Sequence, residues 1–331
     1  MTPSLVLFLY FVGAFIVSVS VGLPIIKGLK RLRAGQNILE YVVQHESKAG
    51  TPTMGGIIFI IPILIVALIE FTPVSLVAMS LMLGFGLVGF LDDFIKIKFG
   101  RNLGLKAYQK IIAQLGLSAI GAYFVFASNH IGTEINIPFA GQIDFGWGII
   151  PFVIFIYIAT TNSVNLTDGI DGLAGITSVG YFIVFAIVLI IQYFAIYEVN
   201  PEQGEQLFSL TAISVSAVGG ILGYLIFNTS PAKVFMGDTG SLALGSLVAS
   251  VAVMSKNPLF IATIGIMFVW SSISVIVQVI IFKLTKKRVF LMAPFHHHLE
   301  MKGMSESRIG ILYLSITLIG GALSLVLAGG I

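Results

Sequence analysis

Asp92 and Asp93 in GFLDDFIK, Asp168 and Asp171 in NLTDGIDGLAG, and Asp238 in FMGDTGSLALG set five short carboxylates among Gly, Asn, Ser and Thr. Glycine permits close backbone approach and positive φ. A helix start offers unpaired N–H groups at the positive end of the helix dipole. Carboxylates beside free amides suit a phosphate ester carried with a metal ion, and hard oxygen donors favour magnesium or manganese over zinc. Asp168 and Asp171, three residues apart, share one face if they open a helix. Each acid also has a plainer reading. Asp238 fits an N-cap of the helix that follows, and Asp92 with Asp93 fits a solvated pair with Lys96 four residues on.

Other side chains extend the same chemistry. His296, His297 and His298 are consecutive, and adjacent side chains on a helix diverge by about 100°, so the three do not converge on one zinc ion. They suit hydrogen bonding to phosphate or hydroxyl and proton transfer near neutral pH, or else an interfacial basic stretch. Lys48 in SKAGTPTMGG and Lys110 in LKAYQK precede apolar runs, where they can meet phosphates as point charges or snorkel as anchors. Phe235 can stack on a nucleobase or simply pack. The chain has no Cys, which excludes disulfides and thiolate chemistry.

The frame that must hold these residues is hydrocarbon-like: 57% of residues are hydrophobic and 10% charged, outside the balance of a soluble domain. Ten apolar stretches, roughly 4–26, 54–71, 74–91, 109–128, 147–163, 174–195, 207–227, 240–255, 257–282 and 309–329, are each taken as a helix crossing about 30 Å of lipid. Residues 4–26 lack a basic leader and a cleavage site, so they read as a retained first span. With the N-terminus outside, the inner loops hold every one of the 18 Lys and Arg residues except Lys256, the side on which basic loop residues are retained. Both termini then face outward, and the five aspartates gather at the inner edge. The net charge of +3 and pI near 9.0 need no nucleic acid, because inner-loop cations face an anionic leaflet.

The expected fold is therefore an all-α polytopic membrane protein of ten transmembrane helices, one integral-membrane domain over 1–331. Residues 129–146 alternate polar and apolar around Gly141, which predicts a small β-hairpin capping the outer face. A cation-coupled secondary transporter is the rival from another class. Transporters place ionisable groups near the midplane, in broken helices and inverted repeats, and here the acids fall at inner ends.

TPTMGG at 51–56, LDDF at 91–94, NLTDGIDGLAG at 165–175, FMGDTGSLALG at 235–245 and PFHHHLE at 294–300 together resemble the polyprenyl-phosphate N-acetylhexosamine-1-phosphate transferases. TPTMGG with an uninterrupted HHH resembles the branch acting on phospho-MurNAc-pentapeptide. The resemblance implies transfer from UDP-MurNAc-pentapeptide to undecaprenyl phosphate, release of UMP, a Mg2+ cofactor, a homodimer, and a site on the cytoplasmic side of the bacterial plasma membrane. It implies a catalytic role for Asp92, Asp93 and Asp238, with His297 beside them, and metal binding by Asp238 and Asp92. Lys48, Lys110, Asn165, Asp168, Asp171, Phe235, His296 and His298 are implied to bind substrate. A sister enzyme that takes UDP-N-acetylglucosamine is the nearer alternative. The stretch 257–282 is expected to form the groove for the lipid tail.

Overall fold

A computed structural model describes residues 1–32, 50–100 and 103–328. The helices are α1 (Pro3–Arg31), α2 (Ile57–Ile69), α3 (Pro73–Phe99), α4 (Ala107–Ala127), α5 (Ile149–Thr167), α6 (Leu173–Ile196), α7 (Pro201–Asn228), α8 (Gly237–Met254), α9 (Phe260–Thr263), α10 (Ile266–Thr285), α11 (Phe295–Met301) and α12 (Glu306–Ala328). Nine of them are long and apolar enough to cross a membrane among the described residues. The chain is a multi-pass membrane protein.

The expected second span, 54–71, is the exception. Its helix α2 has 13 residues, about 20 Å at 1.5 Å per residue, shorter than the other nine apolar helices. The chain before it is not helical, and its backbone bonds to the residues just ahead of α8: Phe235 N donates to Pro52 O at 2.8 Å, Gly55 N to Phe235 O at 2.8 Å, and Gly56 N to Met236 O at 3.1 Å. The expected long span 257–282 is also divided. The short α9 ends before Gly265, and α10 starts after it.

The predicted hairpin is present: β1 (Glu134–Ile137) pairs antiparallel with β2 (Gly141–Asp144), and Gly141 takes φ 77°. Asn136 fastens it to the end of α8, donating from its backbone to Lys256 O at 2.8 Å and from Nδ2 to Asn257 Oδ1 at 3.0 Å.

Helix α8 is the axis of the bundle, nearly all of it buried. Its small residues let neighbours come close, which is how helices pack where lipid gives no hydrophobic drive. On α3, Gly86 and Gly89 present a bare face to α8. A Cβ on Gly86 would stand 3.3 Å from Ala243 Cβ, and one on Gly89 would strike the Asp238 carbonyl. One turn further along the same face of α3 come Asp92 and Asp93, so this contact sets both acids over the start of α8. On the far side of α8, a Cβ on Gly245 would lie 2.6 Å from Thr161 Cα of α5, which brings the polar end of α5 to the same place.

Candidate active site

Asp238 is the centre of the cluster. Lys110 Nζ donates to its Oδ2 at 2.8 Å and Lys96 Nζ at 3.1 Å, and Asn165 Nδ2 donates to its Oδ1 at 2.7 Å. Asn165 also reaches Ser241 Oγ at 2.8 Å, so α5 is pinned to the first turn of α8. Asp92 receives Leu105 N at 2.8 Å on Oδ1 and Lys96 Nζ at 2.6 Å on Oδ2. Gly104 fits this approach because a Cβ there would stand 2.6 Å from the Asp92 carboxyl. Asp93 accepts from Asp238 N at 3.2 Å, Thr239 N at 2.9 Å and Thr239 Oγ1 at 2.7 Å. Asp92 and Asp93 are each 3% exposed, so the solvated-pair reading does not hold. Nor does Asp238 cap its own helix: Asp93, from α3, supplies the acceptor.

Asp168 and Asp171 lie in the turn between α5 and α6 and do not open a helix, so the same-face reading does not apply. Asp168 ends α5, and Gly172, in the left-handed region at φ 75°, starts α6. Asp171 holds the segment leading to Phe235, with Ala232 N donating to its Oδ2 at 3.0 Å, while its own N–H donates to Glu306 Oε2 at 3.1 Å. Asn228 braces the same segment, accepting from Gly172 N at 3.1 Å and donating to Val234 O at 2.9 Å. Asp168 keeps some exposed surface. Burial, followed by the nearby charges of Asp238, Asp93 and Asp171, holds its carboxyl well above the usual range.

The three histidines diverge as helical geometry requires. His296 is 0% exposed, and neither ring nitrogen has a hydrogen-bond partner among the described residues. Its Nε2 lies against Gly169, where no Cβ would fit, and this places α11 on the Asp168–Asp171 turn. His297 Nδ1 meets Glu300 Oε2 at 3.0 Å. His298 Nδ1 accepts from Leu291 N at 3.1 Å and its ring stacks on Phe295, which assigns the neutral form with the proton on Nε2. Burial pushes the His296 imidazole down to about 3, with the His297 charge adding to the effect and Glu300 opposing it.

A buried histidine lowered in this way disfavours the protonated form on folding. Its contribution to stability is full above the ordinary value of about 6.5 and is lost as pH falls from there toward 3. The unfolding midpoint in detergent is expected to drop on acidification from pH 7 to 5, and His296→Phe should flatten that slope. An unchanged slope would contradict the assignment.

Phe235 is half-buried, with its backbone bonded to Pro52 and Gly55. Lys48 lies outside the described residues. The sequence alone marks Lys96 as an inner-edge cation and a helix partner of Asp92, and does not single out Thr239, Ser241 or Glu306. Lys96 had a signal in its i,i+4 spacing, whereas Thr239 and Ser241 gain meaning only when α3 and α5 come to rest on α8.

Gly237 makes the junction possible. It takes φ 72°, and a Cβ there would stand 2.6 Å from Asp93 Oδ2. Gly237→Ala is expected to lower stability by about 2 kcal/mol from the left-handed backbone and this clash, seen as a lower unfolding midpoint in detergent. An unshifted midpoint would contradict that.

Asp92, Asp93 and Asp238 each offer a carboxylate oxygen, all within 4.8 Å of one another. Hard oxygen donors this close fit a divalent cation of the Mg2+ or Mn2+ type, with Asp238 and Asp92 the two whose oxygens are not taken up by the first turn of α8.

Comparison with known proteins sets this geometry in a class. The chain matches the profile of Glycosyl transferase family 4 over residues 74–256, from α3 to the end of α8 with every clustered aspartate included, and phospho-N-acetylmuramoyl-pentapeptide-transferase signature 1 over residues 48–60, which spans TPTMGG. It is 40% identical over 330 residues to the phospho-N-acetylmuramoyl-pentapeptide-transferase of Halalkalibacterium halodurans, covering 97% of each chain. It is 39% identical over 321 residues to that of Bacillus subtilis, covering 95% and 94%, and 44% identical over 317 residues to that of a Thermoanaerobacter species, covering 95% and 96%. The chain belongs to the phospho-N-acetylmuramoyl-pentapeptide transferase family, and so is a membrane phosphoglycosyl transferase.

Proposed function

We propose that this protein transfers phospho-MurNAc-pentapeptide from UDP-MurNAc-pentapeptide to undecaprenyl phosphate, forming undecaprenyl-diphospho-MurNAc-pentapeptide and UMP in peptidoglycan synthesis. The observation that carries this is the convergence of Asp92, Asp238, Lys96, Lys110 and Asn165, from four helices, on one anionic and cationic cluster beside the α5–α6 turn.

An oxygen of the lipid phosphate attacks the β-phosphorus of the donor; the bond from that phosphorus to the bridging oxygen breaks, and UMP leaves with the electron pair. Asp92 takes the proton from the attacking phosphate. Leu105 N and Lys96 hold its carboxylate in place, and direct attack with Asp92 as base is proposed here over covalent attack on phosphorus. Lys96 and Lys110 place two positive charges where phosphate oxygens gather charge. Mg2+ held by Asp238 with Asp92 would neutralise charge that builds on the leaving UMP. The Asp168–Asp171 turn, Phe235, Lys48 and the α11 histidines bind the donor, with His297 nearest to proton transfer.

The distribution of Lys and Arg among the loops supports an active site on the cytoplasmic side of the plasma membrane, with both termini outside. The short α2 is the tenth membrane segment of a single transferase domain that acts as a homodimer. The exposed apolar residues Ile266, Ile273, Ile276 and Ile280 of α10 offer a seat for the polyprenyl tail. Charged residues of the described spanning helices lie near helix ends, which tells against a midplane ion relay.

Purified protein in detergent decides the reading. UMP release should require undecaprenyl phosphate and Mg2+, and should proceed with UDP-MurNAc-pentapeptide but not with UDP-N-acetylglucosamine. Preference for the second donor would assign the chain to the sister reaction.

A further inference from the structure

The two adjacent aspartates of LDDF do different work. A helix start leaves N–H groups unpaired, and a side chain at the N-cap ordinarily accepts from them. In α8 the N-cap is Met236, which makes no such bond. The acceptor comes instead from α3: both oxygens of buried Asp93 are bonded to the first turn of α8, through Asp238 N, Thr239 N and Thr239 Oγ1 at 3.2, 2.9 and 2.7 Å. A carboxylate with three such donors is held firmly. Gly237 and Gly89 leave room for this approach and for nothing larger. Asp92, turned about 100° around the helix, meets the 104–105 backbone instead and takes the closer contact with Lys96, at 2.6 Å against 4.0 Å from Asp93.

We infer that Asp93 is a positioning residue. With Thr239 it latches the first turn of α8, and so fixes the Asp238 carboxylate between Lys96, Lys110 and Asn165, while Asp92 alone of the pair meets the reactants. This rests on the transferase reading above.

The test uses the full chain in detergent with Thr239→Val, Thr239→Ser, Asp93→Asn and the double variant Asp93→Asn/Thr239→Val. Thr239→Val should lower kcat about tenfold, as expected for one lost hydrogen bond to a charged group, with KM for both substrates little changed. Thr239→Ser, which keeps the hydroxyl, should match the wild type. The double variant should be no slower than Asp93→Asn alone, because both changes break one latch. The pH–rate profile of Asp93→Asn should keep the wild-type acidic limb, since no base is lost.

A wild-type rate in Thr239→Val, a double variant whose loss is the product of the single losses, or a vanished acidic limb would overturn the latch. If Asp93→Asn fails to fold, the contrast between Thr239→Val and Thr239→Ser decides by itself. Backbone amide exchange over 235–245 reads the latch without turnover: it should quicken in Thr239→Val and stay unchanged in Thr239→Ser, and equal exchange in the two would overturn it. Absence of UMP release by the wild type would count against the transferase reading, and the exchange result would still judge the latch.

Discussion

Asp238→Asn is expected to lower kcat by about 10³-fold or more, with the chain still folded. Its two carboxylate oxygens collect donors from three helices: Lys96 from α3, Lys110 from α4 and Asn165 from α5. An amide keeps the shape but removes the charge, and its NH2 group would face either the lysines or the Asn165 amide, setting donor against donor. Lys96 and Lys110 would then sit together without their shared anion, and a divalent cation would lose its central ligand. Excess Mg2+ should therefore fail to restore the rate. A UMP-release assay across a Mg2+ titration checks this, and a variant that regains wild-type kcat at high Mg2+ would show that Asp238 only tunes affinity.

Asp92→Asn is expected to cost about 10²- to 10⁴-fold in kcat, the usual worth of a positioned general base, with KM for the nucleotide donor little altered. The substitution keeps an acceptor for Leu105 N, so the loop over Gly104 should stay closed, but it removes the proton acceptor beside Lys96. The same experiments separate direct attack from a covalent route. Quenched single turnovers of the wild type should contain donor and lipid product with no phosphosugar bound to protein, and the β-phosphorus should be inverted. An adduct on Asp92, or an Asp92→Asn variant with wild-type kcat, would remove Asp92 from the base role.

Much of this site could be read from the chain because its signals are local. Asp residues ringed by Gly at the ends of apolar runs stand out against hydrocarbon, and the distribution of Lys and Arg predicts that Asp92, Asp93, Asp168, Asp171 and Asp238 share one edge of the bundle, where Asp92, Asp93 and Asp238 do come together. The hairpin was legible from alternation around Gly141. What stayed hidden depends on contacts between distant segments. Whether Asp238 caps its own helix or Asp93 caps it from 145 residues earlier turns on the glycine face of α3 against α8. The apolar run 54–71 looks like a full span, but its first residues give their hydrogen bonds to 235–236 and leave α2 short. The run 257–282 is apolar throughout, so hydropathy passed over the break at Gly265. Three consecutive histidines announce their divergence, yet only the packing of α11 on Gly169 shows which one is buried.

The most direct test of a cation-holding phosphate site built by separate helices is the number of Mn2+ ions bound per chain, measured by electron paramagnetic resonance in detergent with UMP present. The expected result is one ion in the wild type and none in Asp238→Asn. Equal binding in the two, or an active wild type that binds no ion, would contradict the account.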